Sequence, residues 1–188
     1  ASFTGSLAIT TTSGPGLALK GEGLGLAIMT ELPLVVVDVQ RGGPSTGLPT
    51  KTEQSDLMQA FYGRNGESPA VVLASSTPAN CFDWAYMASK ITLEHNTPVI
   101  LLSDGYLANG AEPWKIKSTK DMPEIHPNLA NEGEEYQPYA RDNQTLARKL
   151  ALPGTKGLEH RLGGLEKEDV TGNVSYDADN HEKMVGIR

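Results

Sequence analysis

Asp38-Val39-Gln40-Arg41-Gly42-Gly43-Pro44-Ser45-Thr46-Gly47-Leu48-Pro49-Thr50-Lys51-Thr52 is the stretch from which the fold can be read, because of what lies on either side of it. The uninterrupted apolar run Leu34 to Val37 before it reads as a buried strand. Glu53 to Tyr62 after it has the pattern of an amphipathic helix. Three glycines and two prolines between them make a loop that is rigid in places and open to close approach in others. An arginine, a lysine and several hydroxyls are set into it. A loop at the carboxyl end of a parallel strand is where open α/β sheets bind ligands, so this one is the expected site.

Working outward, Ser6 to Thr12 is rich in β-branched residues and is expected as a strand. Ser13-Gly14-Pro15-Gly16 reads as a turn and Leu17 to Thr30 as a helix. The glycines at 21, 23 and 25 each cost about 1 kcal/mol there against alanine, which points to close packing against another backbone or a partner subunit. Thr50-Lys51-Thr52-Glu53 fits a capping box with Thr50 as N-cap, Leu57, Met58 and Phe61 as the apolar stripe and Gly63 as the stop. Ala70 to Ala74 is a third strand. Thr77-Pro78 opens a further helix with Cys81, Ala85, Ala88 and Thr92 on one face. Pro98 to Ser103 is a fourth strand, apolar until its last residue. Strands alternating with helices through short connections imply an α/β fold, a parallel sheet with helices on both faces, over residues 1–105. Residues 106–188, with prolines at 113, 123, 127, 138 and 153 and little periodicity, read as an extended, largely irregular arm or linker that packs on another domain or subunit. Ala178 to Arg188 has the pattern of a starting helix. The first residues read as the middle of an element, so the chain is taken as a piece of a longer protein.

Composition narrows the function. A net charge of −7 argues against nucleic acid and against an anionic membrane surface. No apolar run is long enough to span a bilayer and no signal peptide is visible, which fits a cytoplasmic protein. The single cysteine, Cys81, excludes an internal disulfide and an iron–sulfur cluster held by this chain alone. It falls at an apolar helix position and reads as core. His95, His126, His160 and His181 lack metal-ligand spacing, and no GxGxxG, Walker or GxSxG pattern is present.

Two places remain for chemistry. The backbone of Ser13, Gly14, Pro15 and Gly16 precedes a helix, where free N–H groups favour a polar or anionic ligand; the same spacing also fits an ordinary tight βα turn. Arg41 can hold a carboxylate through two parallel hydrogen bonds, and its flanking glycines let a small ligand come close; a surface ion pair or a loop anchor would use the same residue. Thr50 could add a hydroxyl if the start of its helix faces the same crevice. Lys51 reads as a solvated charge.

Together these motifs resemble a known family. Thr12-Ser13-Gly14-Pro15-Gly16, followed by Glu31-Leu32-Pro33-Leu34-Val35, is similar to the pyrimidine-binding domain of thiamine diphosphate enzymes. Val39-Gln40-Arg41-Gly42-Gly43-Pro44-Ser45-Thr46-Gly47-Leu48-Pro49-Thr50-Lys51 resembles the α subunit of 2-oxoacid:ferredoxin oxidoreductases, most closely the 2-oxoglutarate type. The resemblance runs on through Pro98 to Asp104, Leu158 to Asp169 and Thr171 to Tyr176.

It implies thiamine diphosphate-dependent oxidative decarboxylation of a 2-oxoacid to an acyl-CoA, with electrons passed to ferredoxin. Arg41 and Thr50 would contact the substrate, and the turn from Ser13 to Gly16 would lie near a cofactor shared with a β subunit. Magnesium and the iron–sulfur clusters would sit on partner subunits or domains, in a dimer of heterodimers. The glutamate that activates the aminopyrimidine and the YPITP segment would precede Ala1, and a further domain would follow Arg188, so this piece alone is expected to be inactive. Pyruvate or a branched-chain 2-oxoacid is the alternative substrate. The alternative role is a non-catalytic interaction subunit, suggested by the glycine-rich helix and the arm.

Overall fold

The computed structural model describes residues 1–188. Four strands, β1 (Ile9–Thr12), β2 (Leu34–Gln40), β3 (Val71–Ala74) and β4 (Pro98–Asp104), form one parallel sheet in the order β1-β2-β4-β3. β2 and β4 lie at its centre, paired from Leu34↔Pro98 to Gln40↔Asp104. Leu34–Val37 and Pro98–Leu102 within them are apolar without alternation because both faces are covered. On one face Val36, Ile100 and Leu102 pack with Leu17, Leu24 and Ala60 from the helices α1 (Gly14–Leu19), α2 (Gly21–Thr30) and α3 (Leu57–Tyr62). On the other, Val35 and Val99 meet Ala88 of α4 (Asn80–His95), with Val37, Val71, Leu73 and Ile91 around them. The expected α/β sheet with helices on both faces is therefore the fold. No helix is long and apolar enough to cross a membrane.

Several local expectations are corrected. The glycines of the Ser13–Gly16 turn already belong to a helix: α1 starts at Gly14, with Pro15 in its first turn, and helix geometry breaks at Lys20 before α2 resumes. A Cβ added at Gly21, Gly23 or Gly25 would meet nothing within 4 Å, so no close backbone contact within this chain explains them. Thr50 caps nothing. α3 begins only at Leu57, after Asp56, and Glu53 instead accepts a hydrogen bond from Gly43 N–H at 3.1 Å. Ala60 is the buried residue of α3, whereas Leu57, Met58 and Phe61 are exposed beside Tyr62. Along α4 only Ala88 and Thr92 are buried; Ala85 is exposed and Cys81 half-buried, so the cysteine is not core.

The largest difference concerns the region after β4. A short helix, α5 (Gly105–Asn109), follows at once, with the Asp104 carboxylate accepting from Tyr106 and Leu107 N–H. Beyond it regular structure is sparse until α6 (Ala178–Ile187). Yet this arm lies on the chain's own domain. Tyr86 Oη donates to Pro123 O at 2.7 Å, and buried Asn96 donates to Arg148 O at 2.7 Å, so the arm runs along α4. It then reaches the carboxyl end of α2, where carbonyls without helical partners and the helix dipole favour cations. Lys167 donates to Met29 O at 2.7 Å, and Arg148, fully buried, donates to Thr30 O at 2.9 Å and Glu31 O at 3.3 Å. Arg141 holds the Glu31 carboxylate by two bonds, 3.0 and 2.6 Å, while the Glu31 backbone sits at φ 50°. The buried ring of Tyr139 lies beneath all three cations, 4.9 Å from the Arg148 guanidinium carbon. Each cation is thus desolvated against an acceptor, a π face, or both. Sequence periodicity could not report this, because the partners lie more than a hundred residues apart.

Arg148→Met should lower the protein's stability by about 3 kcal/mol in denaturant unfolding, since buried carbonyls lose a charged donor. A second outcome concerns acid. Burial raises the Glu166 pKa, but hydrogen bonds from Arg188 and His181 outweigh it and hold the carboxyl down at about 2. A depressed acid stabilises above its unfolded pKa and ceases to do so as pH falls toward its folded one. Glu166→Gln should therefore melt lower than the parent at neutral pH, with the gap closing between about pH 4.5 and 2 in thermal scans.

Candidate functional site

The carboxyl ends of β1 and β2 lead into Ser13-Gly14-Pro15-Gly16 and into the Arg41–Asp56 loop, and a cavity of about 400 Å³ opens between the two. Gly14, Pro15, Arg41, Glu53 and Asp56 are among its lining. This is the volume of a small-ligand pocket. The structure thus brings Gly14 and Pro15 together with Arg41. Ser13 and Gly16 flank the cavity without lining it, and Thr50 lies outside, exposed on the loop.

The loop holds its own shape. Gly42 N–H donates to Lys51 O and Leu48 N–H to Gly42 O, both at 2.9 Å, which folds residues 48–51 back beside the strand end. Arg41 uses one terminal nitrogen, Nη1, on three carbonyls, of which Thr46 O at 2.6 Å is the closest. It forms no ion pair. One nitrogen thus anchors the loop, and the other guanidinium nitrogens have no hydrogen-bond partner within the chain.

The two glycines in the turn are required by crowding. A Cβ on Gly16 would sit 1.8 Å from Thr12 Oγ1, and one on Gly14 would sit 2.6 Å from both carboxylate oxygens of Asp56. Asp56 itself, 8% exposed, is fixed by its backbone N–H, which donates to Gln40 Oε1 at 3.0 Å. Gln40 Nε2 reaches Ser103 O at 3.0 Å, so one buried carboxamide ties β2, β4 and the start of α3 together. Behind Asp56 lies Asp38, wholly buried on β2. Neither aspartate was singled out from the sequence. The available signal was an acidic residue at the end of an apolar strand, which costs free energy unless its charge is relieved.

Elsewhere a cavity of similar volume lies between α4 and the arm, but its two guanidinium groups are committed, Arg141 to Glu31 and Arg188 to Glu166. No group of three or more His, Cys, Asp or Glu side chains is arranged to hold a metal ion.

Residues 1–179 match the family described as pyruvate flavodoxin/ferredoxin oxidoreductase, thiamine diphosphate-binding. The chain is 60% identical over its whole length to the 2-oxoglutarate oxidoreductase subunit KorA of Mycobacterium tuberculosis, of which it covers 29%. It is 35% identical over 98% of its length to the 2-oxoglutarate synthase subunit KorA of Methanocaldococcus jannaschii, covering 49% of that protein. Its fold matches that of a solved 2-oxoglutarate:ferredoxin oxidoreductase from Magnetococcus marinus with 2-oxoglutarate, coenzyme A and succinyl-CoA bound, with a TM-score of 0.88 and 39% identity over 99% of this chain and 32% of that one. The chain therefore spans between 29% and 49% of the length of these three relatives. A parallel sheet with an arginine loop beside an SGPG helix start, matched along 179 residues, places this chain in the thiamine diphosphate-binding family of the pyruvate flavodoxin/ferredoxin oxidoreductases.

Proposed function

We propose that this chain is the pyrimidine-binding portion of the α subunit of a 2-oxoglutarate:ferredoxin oxidoreductase, and that its crevice receives the oxoacid carboxylate on Arg41. The observation that carries this is the guanidinium sharing one cavity with Gly14 and Pro15 while forming no ion pair with any carboxylate of the chain. The residues suit the cofactor. A heteroaromatic amine can lie against the Gly14–Pro15 start of α1, where no side chain stands on Gly14, and the Asp56 carboxylate, which lines the cavity and receives no hydrogen bond from a donor of this chain, is an acceptor beside it. When bound, thiamine diphosphate supplies the carbon nucleophile and electron sink that a 2-oxoacid needs to lose carbon dioxide.

This chain's residues bind and orient. Arg41 neutralises the carboxylate that is to leave and, held by Thr46 O, aims its free edge without having to be ordered on binding. Thr50 is assigned a hydroxyl contact from the same loop. Its support is the Gly42–Lys51 bond, which returns residue 50 to the neighbourhood of the strand end. Lys51, exposed on the same loop outside the cavity's lining and in no ion pair, is assigned to the second carboxylate that 2-oxoglutarate carries and pyruvate lacks.

Ser13 and Gly16 complete the turn that seats the cofactor ring. The balanced reaction takes a 2-oxoacid, coenzyme A and two oxidised ferredoxins to an acyl-CoA, carbon dioxide, a proton and two reduced ferredoxins. One cysteine cannot hold the iron–sulfur clusters this needs, so they and the magnesium are assigned to a β subunit or to further domains. Exposed Leu19, Met58 and Tyr62 offer an apolar surface for such a partner.

In the assembled enzyme Arg41→Ala should raise KM for the oxoacid by about 30- to 100-fold, roughly 2–3 kcal/mol, with Arg41→Lys recovering only part because it cannot bind bidentately. Unchanged steady-state kinetics would remove the clamp. Lys51→Ala should raise KM for 2-oxoglutarate by roughly tenfold and leave pyruvate turnover as it was; equal effects on both would transfer the second-carboxylate role elsewhere.

A further inference from the structure

Three carboxylate oxygens are buried without a donor beside the crevice, both of Asp38 and Oδ2 of Asp56. The two side chains lie on facing elements. Asp38 is on β2, on the face that Val36 turns toward α1 and α3, and Asp56 is at the start of α3. Burial first, then the charge of Asp56 and a hydrogen bond between the two groups, push the Asp38 pKa up to about 7. No cation offsets either group.

The ionisable groups nearby are otherwise engaged. Glu53 accepts from Gly43 N–H, Asp104 caps α5 and accepts from Gln54 Nε2, and Arg41 bonds to loop carbonyls. β1 and α1 contribute no ionisable side chain, α3 only the exposed Tyr62, and α2 only Glu22. As two anions the pair would have no donor at all, whereas a proton on Asp38 supplies the missing one.

We propose that Asp38 and Asp56 hold one proton between them, and that Asp38, donating it, is a positioning residue that keeps the Asp56 carboxylate seated against Gly14 as the crevice's acceptor for a ligand N–H or O–H. The ligand chemistry is a ring amine or hydroxyl lying on the Gly14–Pro15 turn. Where that ring belongs to thiamine, the inference rests on the proposed function; the proton count does not. Loss of the proton leaves two adjacent anions behind the turn, and their repulsion must shift the Asp56 oxygens, which fill the space that a Cβ on Gly14 would need.

The test uses the intact assembly in three forms, parent, Asp38→Asn and Asp38→Ala. Infrared difference spectra of the cofactor-free enzyme between about pH 5.5 and 8.5 should show a protonated-carboxyl band lost in the parent and absent from Asp38→Asn. Thiamine diphosphate affinity should weaken about tenfold in Asp38→Ala and be restored by Asp38→Asn, whose amide donates at every pH. The parent's kcat/KM should fall on the alkaline side while that of Asp38→Asn stays level. A band that persists in Asp38→Asn, or superimposable pH profiles, overturns the proposal. If the Asp38 variants fail to assemble, Asp56→Asn decides, because removing the neighbouring charge must move the loss of the band to lower pH; an unmoved band overturns the pair. Normal oxoacid kinetics in Arg41→Ala with the band behaving as expected would sink the functional reading and leave the pair standing.

Discussion

The Gln40 carboxamide is the contact on which the rest of the site depends. A parallel sheet ends in strands whose last backbone groups lack partners, as does the start of a helix, and this buried side chain serves one group of each kind at once. Its amide nitrogen fixes the end of β4 and its oxygen fixes the backbone of Asp56. Through that second bond the start of α3, the wall of the crevice and the seat of Gly14 take their places relative to the sheet. Arg41 follows directly in sequence, so the loop leaves the strand in a fixed direction. The proposed carboxylate clamp and cofactor turn are then built from rigid neighbours, with little ordering left for a ligand to supply.

A similar economy holds at the other end of β2. Helix α2 stops in a left-handed Glu31, a conformation that a non-glycine residue adopts at a cost of about 1–3 kcal/mol. The arm recovers that cost. Arg148 and Lys167 neutralise the carbonyl end of the helix, Arg141 pairs with the Glu31 side chain, and Tyr139 gives all three cations an apolar floor. Desolvation pushes the Lys167 pKa down to about 8 and the Tyr139 pKa up to about 12, as expected for groups enclosed this completely.

The sheet was legible because its evidence is local. Leu34–Val37 and Pro98–Leu102 are unbroken apolar runs, and a run of that length bounded by turn residues is a central parallel strand. The place of Arg41 followed from the same reading. What misled was local as well: Thr50 and Glu53 have capping-box spacing, but Glu53 finds its donor ten residues back at Gly43, and α3 waits until Asp56 is fixed by Gln40. Leu57, Met58 and Phe61 have a core-facing period and yet face outward, since the sheet needs only Ala60 at that point. The Asp38–Asp56 pair and the arm's cations depend on contacts between distant segments, and no single stretch of sequence carries them.

That distance has a consequence for biosynthesis. Glu31 meets Arg141 and Arg148 across 110 and 117 residues. At roughly 5–20 residues per second, a ribosome would deliver α2 and Glu31 some 6–23 seconds before the side chains that clasp them. Throughout that interval the emerging chain carries an open helix terminus and an unpaired Glu31, so the end of α2 reaches its native environment only after the whole sheet has been made.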